Sequence, residues 1–109
     1  MQLNAYRIMW LLVFFDLPTE SQAERKAHTK FRTDLIKDGF SMMQYSVYIR
    51  HCASSESGDV HVKRVDKVMP QKGHISLLRI TDKQYGDIIN YWGKKTTPLP
   101  GPPAQLEIF

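Results

Sequence analysis

The chain has 109 residues, of which 42% are hydrophobic and 11% aromatic, and this content excludes intrinsic disorder and predicts one small domain with a packed core. Fifteen Lys and Arg against eleven Asp and Glu give a net charge of +4, a mild bias towards polyanionic partners. Cys52 is the only cysteine, which excludes an intramolecular disulfide and a thiolate metal cluster, and we interpret it as a small structural residue.

The first predicted element is a buried strand over residues 8–15, where eight apolar residues follow one another. The run is short, rich in aromatic residues and closed by Asp16-Leu17-Pro18, which favours a central strand over a helix. It is far shorter than the roughly 20 residues that a membrane-spanning helix needs. No small-residue cleavage site follows it. We therefore expect a cytoplasmic protein without a membrane partner.

A helix is predicted from Ser21 to about Lys37. Ser21 and Glu24 have the spacing of a capping box, in which each side chain accepts from the other residue's backbone N–H. Gly39 is a typical residue for ending a helix. Residues at four-residue spacing give this helix a narrow apolar stripe, made of Ala23, Ala27, Phe31 and Leu35.

The middle of the chain predicts strand, helix and strand again. From Phe40 to Arg50 the apolar alternation changes parity, so the backbone must break, bulge or turn near Met43-Gln44. One bent strand and two short strands both fit this pattern. Residues 53–58 are predicted as a loop, and a second helix follows from about Asp59 until Pro70 ends it. Three of its residues are expected to point inward, namely Val62, Val65 and Met69. Residues 74–80 are predicted as a strand.

This order of elements predicts an α+β fold, a ferredoxin-like sandwich with βαββαβ topology. Residues 88–92 are expected to add a short strand. We expect a ferredoxin-like domain over residues 1–95 and a tail over residues 96–109. The tail combines a Pro-rich linker with a strand-like end at residues 105–109. Two interpretations of that end remain: a frayed terminus, or a clasp that pairs with the sheet edge of a second copy in a homodimer.

Two features are candidates for chemistry. Asp16 ends the predicted central strand, and the ends of strands expose polar groups on a rigid sheet. Taken alone, Asp16 is also an ordinary turn residue. The first helix has an excess of basic residues that suits sequence-independent phosphate binding, although a solvated face is the commoner role of such a helix. Together they indicate a metal and a nucleic acid at one end of the sheet. The candidate nucleic-acid-binding residues are Arg25, Lys26, Lys30 and Arg32.

A series of motifs over residues 8–92 resembles the CRISPR-associated Cas-two family in order and spacing. The segments that carry the resemblance are residues 12–18, Glu24-Arg25-Lys26, Phe31-Arg32, Gly39-Phe40 and residues 44–50. Within them, residues 15–19 and 44–48 are most similar to the type II branch of the family. The resemblance fades at the Pro-rich tail.

The resemblance implies a symmetric, ferredoxin-like dimer that lies between two dimers of the Cas-one integrase, in the complex that captures foreign DNA as new spacers. Many members are described as magnesium-dependent endonucleases on RNA or DNA, which would make Asp16 the catalytic residue and the Mg²⁺ ligand. In other members the nuclease activity is dispensable and the protein is a scaffold that holds double-stranded DNA. Both roles remain open, and a related ribonuclease toxin is a third interpretation of the function.

The number of ligands favours a metal site shared between two chains. One carboxylate is too few for a hard octahedral cation, even for one that keeps several waters. Two copies of Asp16 facing each other across a two-fold axis would repel, and a cation between them would relieve the repulsion. We therefore expect the homodimer to assemble the Mg²⁺ site.

Overall fold

The computed structural model describes residues 8–101, whose centre is a four-stranded antiparallel sheet. The strand order is β2 (Ser41–Gln44), β3 (Val47–Cys52), β1 (Met9–Asp16) and β4 (His74–Thr81). The predicted ferredoxin-like α+β fold is confirmed, because the first six elements follow the order βαββαβ. The predicted C-terminal strand at residues 105–109 lies outside the described residues. The elements are β1 (Met9–Asp16), α1 (Gln22–Lys37), β2 (Ser41–Gln44), β3 (Val47–Cys52), α2 (Ser55–Lys67), β4 (His74–Thr81), α3 (Asp82–Gly86), β5 (Asn90–Trp92) and β6 (Lys95–Thr97).

The main core lies between the first face of the sheet and the helices α1 and α2. The alternate β1 residues Leu11, Val13 and Phe15 are at most 4% exposed and belong to this core. Phe31 and Leu35 of α1 pack on them. Each such buried side chain contributes roughly 1.5–3 kcal/mol relative to an exposed one. β1 is therefore held firmly in the core, and Asp16, its last residue, stands at the end of a rigid strand.

The second face of the sheet, opposite the helices, is covered at one end only. There the Tyr85 ring of α3 stacks on Trp10 with ring centroids 3.8 Å apart, and the Trp10 indole N–H donates to Asp82 at 2.7 Å. Towards the other end Phe14 is 37% exposed and its neighbour Leu78 is 46% exposed. The uncovered end of this face is the end that carries Asp16.

The capping box of α1 is confirmed, but only the second half of the predicted apolar stripe, Phe31 and Leu35, is buried. The Ser21 hydroxyl accepts from the Glu24 N–H at 3.0 Å, and the Glu24 carboxylate accepts from the Ser21 N–H at 2.9 Å. Ala23 and Ala27 are exposed, and His28 is buried instead. The reason is that a helix turns every 3.6 residues, so a strict four-residue spacing drifts around it. The buried stripe is His28, Phe31 and Leu35.

The predicted break near Met43-Gln44 is confirmed, and it separates two strands. β2 and β3 pair with an irregularity between Met42 and Gln44, and Tyr45 and Ser46 form the turn that joins them. The turn lies beside the end of β1, because the Phe15 N–H donates to the Ser46 carbonyl at 3.0 Å.

The predicted loop over residues 53–58 is present only at residues 53 and 54, and the predicted start of the second helix at Asp59 is wrong. The α2 helix begins at Ser55, because the Ser54 hydroxyl caps it by accepting from the Ser57 N–H at 3.1 Å. The serine-rich stretch that suggests a loop is thus a helix start. Val65 is buried as predicted, whereas Met69 lies beyond the helix end and is 38% exposed.

The segment after β4 contains more structure than the sequence predicts. The strand expected over residues 88–92 is present as β5, and it forms a hairpin with β6. Neither β6 nor the short helix α3 is predicted. The predicted domain boundary, between residues 95 and 96, falls within β6. Among residues 8–101, no helix has the length and apolar character required to cross a membrane.

Candidate functional site

Asp16 is exposed at the end of β1 and lies on the second face of the sheet. The face follows from strand alternation, since Trp10 and Leu12 of the same parity pack in the core on that side. Asp16 therefore borders the uncovered part of the face, next to Phe14.

A shallow groove of about 290 Å³ surrounds Asp16. His74 is the register partner of Asp16 across the β1–β4 pair, so the two side chains share one face. The sequence does not indicate that His74 is a neighbour of Asp16, because its histidines are scattered along the chain. Only the strand register identifies this pair. The groove is lined by Phe14, Phe15, Asp16, Ser46, Val47, His74 and Ser76.

The close approach of β4 to Asp16 depends on a glycine at position 73. Gly73 has a φ of +105°, which side chains rarely adopt. A Cβ there would lie 2.9 Å from the Asp16 carbonyl oxygen and would also collide with the Leu17 side chain. The sequence Gly73-His74 is thus what brings His74 beside Asp16.

One chain does not form a closed metal cage at this edge. Among residues 8–101 no group of three or more His, Cys, Asp and Glu side chains is placed to hold a metal ion. Asp16 offers one carboxylate and His74 one imidazole. The assignment of Asp16 as catalytic residue and Mg²⁺ ligand stays a prediction, and it requires ligands from a second chain, from water or from a substrate phosphate.

Three of the four predicted nucleic-acid-binding residues lie together on the outer face of α1. Arg25, Lys26 and Lys30 line a shared groove. Arg25 also donates to the carbonyl of Glu20 at 2.8 Å, which fixes its guanidinium beside the β1–α1 loop. Lys30 pairs with Asp34 at 2.7 Å while its side chain stays 73% exposed, so the pair is weak and solvent-screened. This groove is the basic face of α1.

Arg32, the fourth predicted residue, lies apart from that groove. Its Nε donates to the hydroxyl of the buried Tyr48 at 2.8 Å, and this hydrogen bond raises the pKa of Arg32. Its guanidinium carbon lies 5.3 Å from the ring centroid of Tyr45. His28 stacks on the same ring, and burial, followed by the charge of Arg32, lowers the pKa of His28. Arg32 therefore belongs to the β2–β3 turn rather than to the basic face.

Other polar groups of the described chain have structural roles. The Asp38 carboxylate joins the end of α1 to α2 through His61 at 2.7 Å and Arg64 at 2.8 Å. Cys52 is 1% exposed, as expected for a small structural residue, and burial raises the pKa of its thiol.

The fold and the strand-end aspartate define the class of this protein: a small ferredoxin-like α+β protein with one exposed aspartate at a strand end and a basic helix face. Comparison with known families gives a more specific result. The family model described as CRISPR associated protein Cas2 matches residues 9–88. The chain belongs to this Cas2 family.

Individual relatives agree with the family match. A protein from Flavobacterium psychrophilum named CRISPR-associated endoribonuclease Cas2 is 51% identical over 108 residues, which cover 99% of this chain and 94% of the relative. A protein of the same name from Parvibaculum lavamentivorans is 54% identical over 101 residues, covering 93% of this chain and all of the relative. A third from Paracidovorax avenae is 41% identical, covering 98% and 99%.

Proposed function

We propose that this chain is a magnesium-dependent, endonuclease-like protein that binds nucleic acid as a homodimer, with Asp16 as its catalytic residue. The observation that carries the proposal is the position of Asp16 at the rim of an uncovered apolar patch, made of Phe14, Val47 and Leu78 on the second face of the sheet. A second copy on this patch would bring two Asp16 carboxylates to one interface.

The apolar patch supports a symmetric dimer. Phe14 and Leu78 are 37% and 46% exposed although they sit in central and neighbouring strands of a sheet. Apolar side chains that are exposed together on one face of a sheet favour a partner that covers them. An isologous interface, in which the same patch meets itself, closes the assembly at two copies. The patch lies beside Asp16, so the two-fold axis would pass near both carboxylates.

The residues at this edge fit Mg²⁺ if two chains contribute. Mg²⁺ is typically held by one or two carboxylates and keeps several waters, which suits a pair of exposed Asp16 side chains. When bound, it would neutralise charge on a phosphate and make a bound water more acidic. Asp16 would hold the cation, and the His74 imidazole would hydrogen-bond and orient water in the groove. Phe14 would exclude bulk solvent from one side.

The reaction we propose is phosphodiester hydrolysis in RNA or DNA. The relatives named above are called endoribonucleases, and the basic face of α1 provides a surface for a phosphate backbone. The cellular role we propose is CRISPR adaptation in the cytoplasm, where the dimer would bridge two dimers of the Cas-one integrase across double-stranded DNA.

A non-catalytic scaffold is the second candidate function. One observation favours it: among residues 8–101, Asp16 is the one carboxylate that lines its groove, so a second carboxylate that would complete a hydrolytic pair is absent there. A scaffold requires the dimer and the basic face but not the Asp16 charge.

Cleavage assays separate the two functions. Wild-type protein, Asp16→Asn and the control Asp66→Asn, an exposed α2 aspartate, are incubated with RNA and DNA in Mg²⁺ or in chelator. The nuclease proposal predicts Mg²⁺-dependent cleavage that only Asp16→Asn abolishes. Undiminished cleavage by pure Asp16→Asn would reject the site. Integrase complexes of equal mass with wild-type and Asp16→Asn protein, without cleavage by either, would establish the scaffold instead.

A further inference from the structure

Tyr45, in the turn between β2 and β3, combines high exposure with a fixed position. It is 64% exposed. Nevertheless its ring has two partners from α1: the His28 ring, 5.7 Å away and inclined by only 23°, and the Arg32 guanidinium, 5.3 Å from the ring centroid. The ring is thus exposed to solvent and at the same time held in place by α1.

The support for Tyr45 extends into the protein core. Arg32 is anchored by its 2.8 Å hydrogen bond to Tyr48, which is fully buried. His28 is 7% exposed and packs edge-on against Phe15 at 5.8 Å. Because His28 and Arg32 are four residues apart on α1, both approach Tyr45 from the helix side. Because 64% of the Tyr45 surface stays exposed, these two contacts leave a face of the ring open to solvent while they hold its orientation.

We propose that the open side of Tyr45 is a stacking platform for an unpaired base of single-stranded nucleic acid. Every base has a flat face that stacks on an aromatic ring, and a guanidinium against that ring adds favourable positive charge. A continuous duplex offers no free base face to such a platform. The ligand chemistry is therefore an unpaired nucleotide, from RNA or from DNA.

The position of the platform suits the rest of the site. Ser46, next to Tyr45, accepts the hydrogen bond from Phe15, the residue before Asp16. The platform and Asp16 thus share one end of the sheet, Tyr45 on the helix side and Asp16 on the second face. The inference rests on the proposed nucleic-acid binding and specifies its substrate: a strand with unpaired bases at the end of the sheet.

Base stacking can be measured without cleavage. Oligonucleotides of single-stranded RNA, single-stranded DNA and blunt duplex DNA, each containing 2-aminopurine, are titrated with protein in chelator. The proteins are wild type, Tyr45→Ala and the matched control Tyr45→Phe, which keeps the aromatic ring. Thermal unfolding of each variant verifies that the fold is intact.

Stacking predicts that wild type and Tyr45→Phe quench 2-aminopurine in single strands and that Tyr45→Ala does not. Tyr45→Ala should bind single strands about tenfold more weakly, with duplex affinity unchanged. The RNA and DNA arms identify the source of the unpaired base.

Three outcomes would overturn the platform. These are equal quenching by Tyr45→Ala and wild type, an equal loss of affinity for duplex and single strands, and an absence of binding to any oligonucleotide. Asp16-dependent cleavage, together with quenching that Tyr45→Ala leaves unchanged, would reject the platform alone. Quenching that depends on Tyr45, in a protein without Asp16-dependent cleavage, would reject the nuclease alone.

Discussion

The apolar patch on the second face of the sheet gives the proposed dimer a measurable energy. Phe14 keeps 37% of its surface exposed, which is about 75 Å² for an aromatic side chain of roughly 200 Å². At about 25 cal/mol per Å², covering it contributes roughly 2 kcal/mol per protomer and about 4 kcal/mol in a symmetric dimer. Phe14→Ser should therefore raise the dimer Kd by on the order of 500-fold.

Sedimentation equilibrium over a range of protein concentrations measures this Kd. Ile36→Ser is the matched control, because Ile36 is 55% exposed on α1, away from the second face. Phe14→Ser should shift the protein to monomer at concentrations where wild type and Ile36→Ser remain dimeric. An unchanged Kd for Phe14→Ser, or an equal weakening by Ile36→Ser, would refute this interface.

Three other predictions follow from named contacts. Gln substitutions at Arg25, Lys26 and Lys30 should each flatten the dependence of log affinity on log salt for duplex DNA by about 0.9; Lys63→Gln on α2 is the control, and an unchanged slope would make the basic face a solvated surface. Burial holds the pKa of His28 below its usual 6.5, so unfolded His28 binds protons at higher pH than folded His28. The contribution of His28 to protein stability is therefore complete above pH 6.5 and is lost as the pH falls through the pKa of folded His28. The drop in Tm on acidification should be smaller in His28→Leu, and an identical drop in both proteins would contradict the lowered pKa of His28. Gly73→Ala should lower the free energy of unfolding in urea by about 1–3 kcal/mol because of its positive φ and the nearby Asp16 carbonyl, whereas Gly86→Ala, with no atom within 4 Å of the added Cβ, should not.

The sequence predicts the central architecture well because its signals are local. The apolar run that ends at Asp16, the Ser21–Glu24 capping box and the parity change before Gln44 each depend on a few neighbouring residues, and all three are present in the structure. The errors arise where a local sequence pattern is compatible with two structures. The serines at positions 54 and 55 are typical of loops and of helix starts, and here they begin a helix.

The surroundings of the candidate site are less predictable because they depend on long-range register. His74 is 58 positions from Asp16, and only the antiparallel pairing of β1 with β4 makes them neighbours. Arg32 resembles the other basic residues of α1 in sequence, yet its direction is set by Tyr48 on a strand. The dependence of the Tyr45 contacts on this same packing explains why the sequence does not predict the platform.

The central claim is that two Asp16 carboxylates act together in one dimer, and subunit mixing tests it most directly. Wild-type and Asp16→Asn chains are mixed in equal amounts, exchanged to equilibrium, and assayed for Mg²⁺-dependent cleavage at constant total protein. If both carboxylates are required, only wild-type homodimers are active, and activity should fall to about one quarter of that of pure wild type. A fall to only about one half would show that each chain acts by itself, and would contradict the shared site.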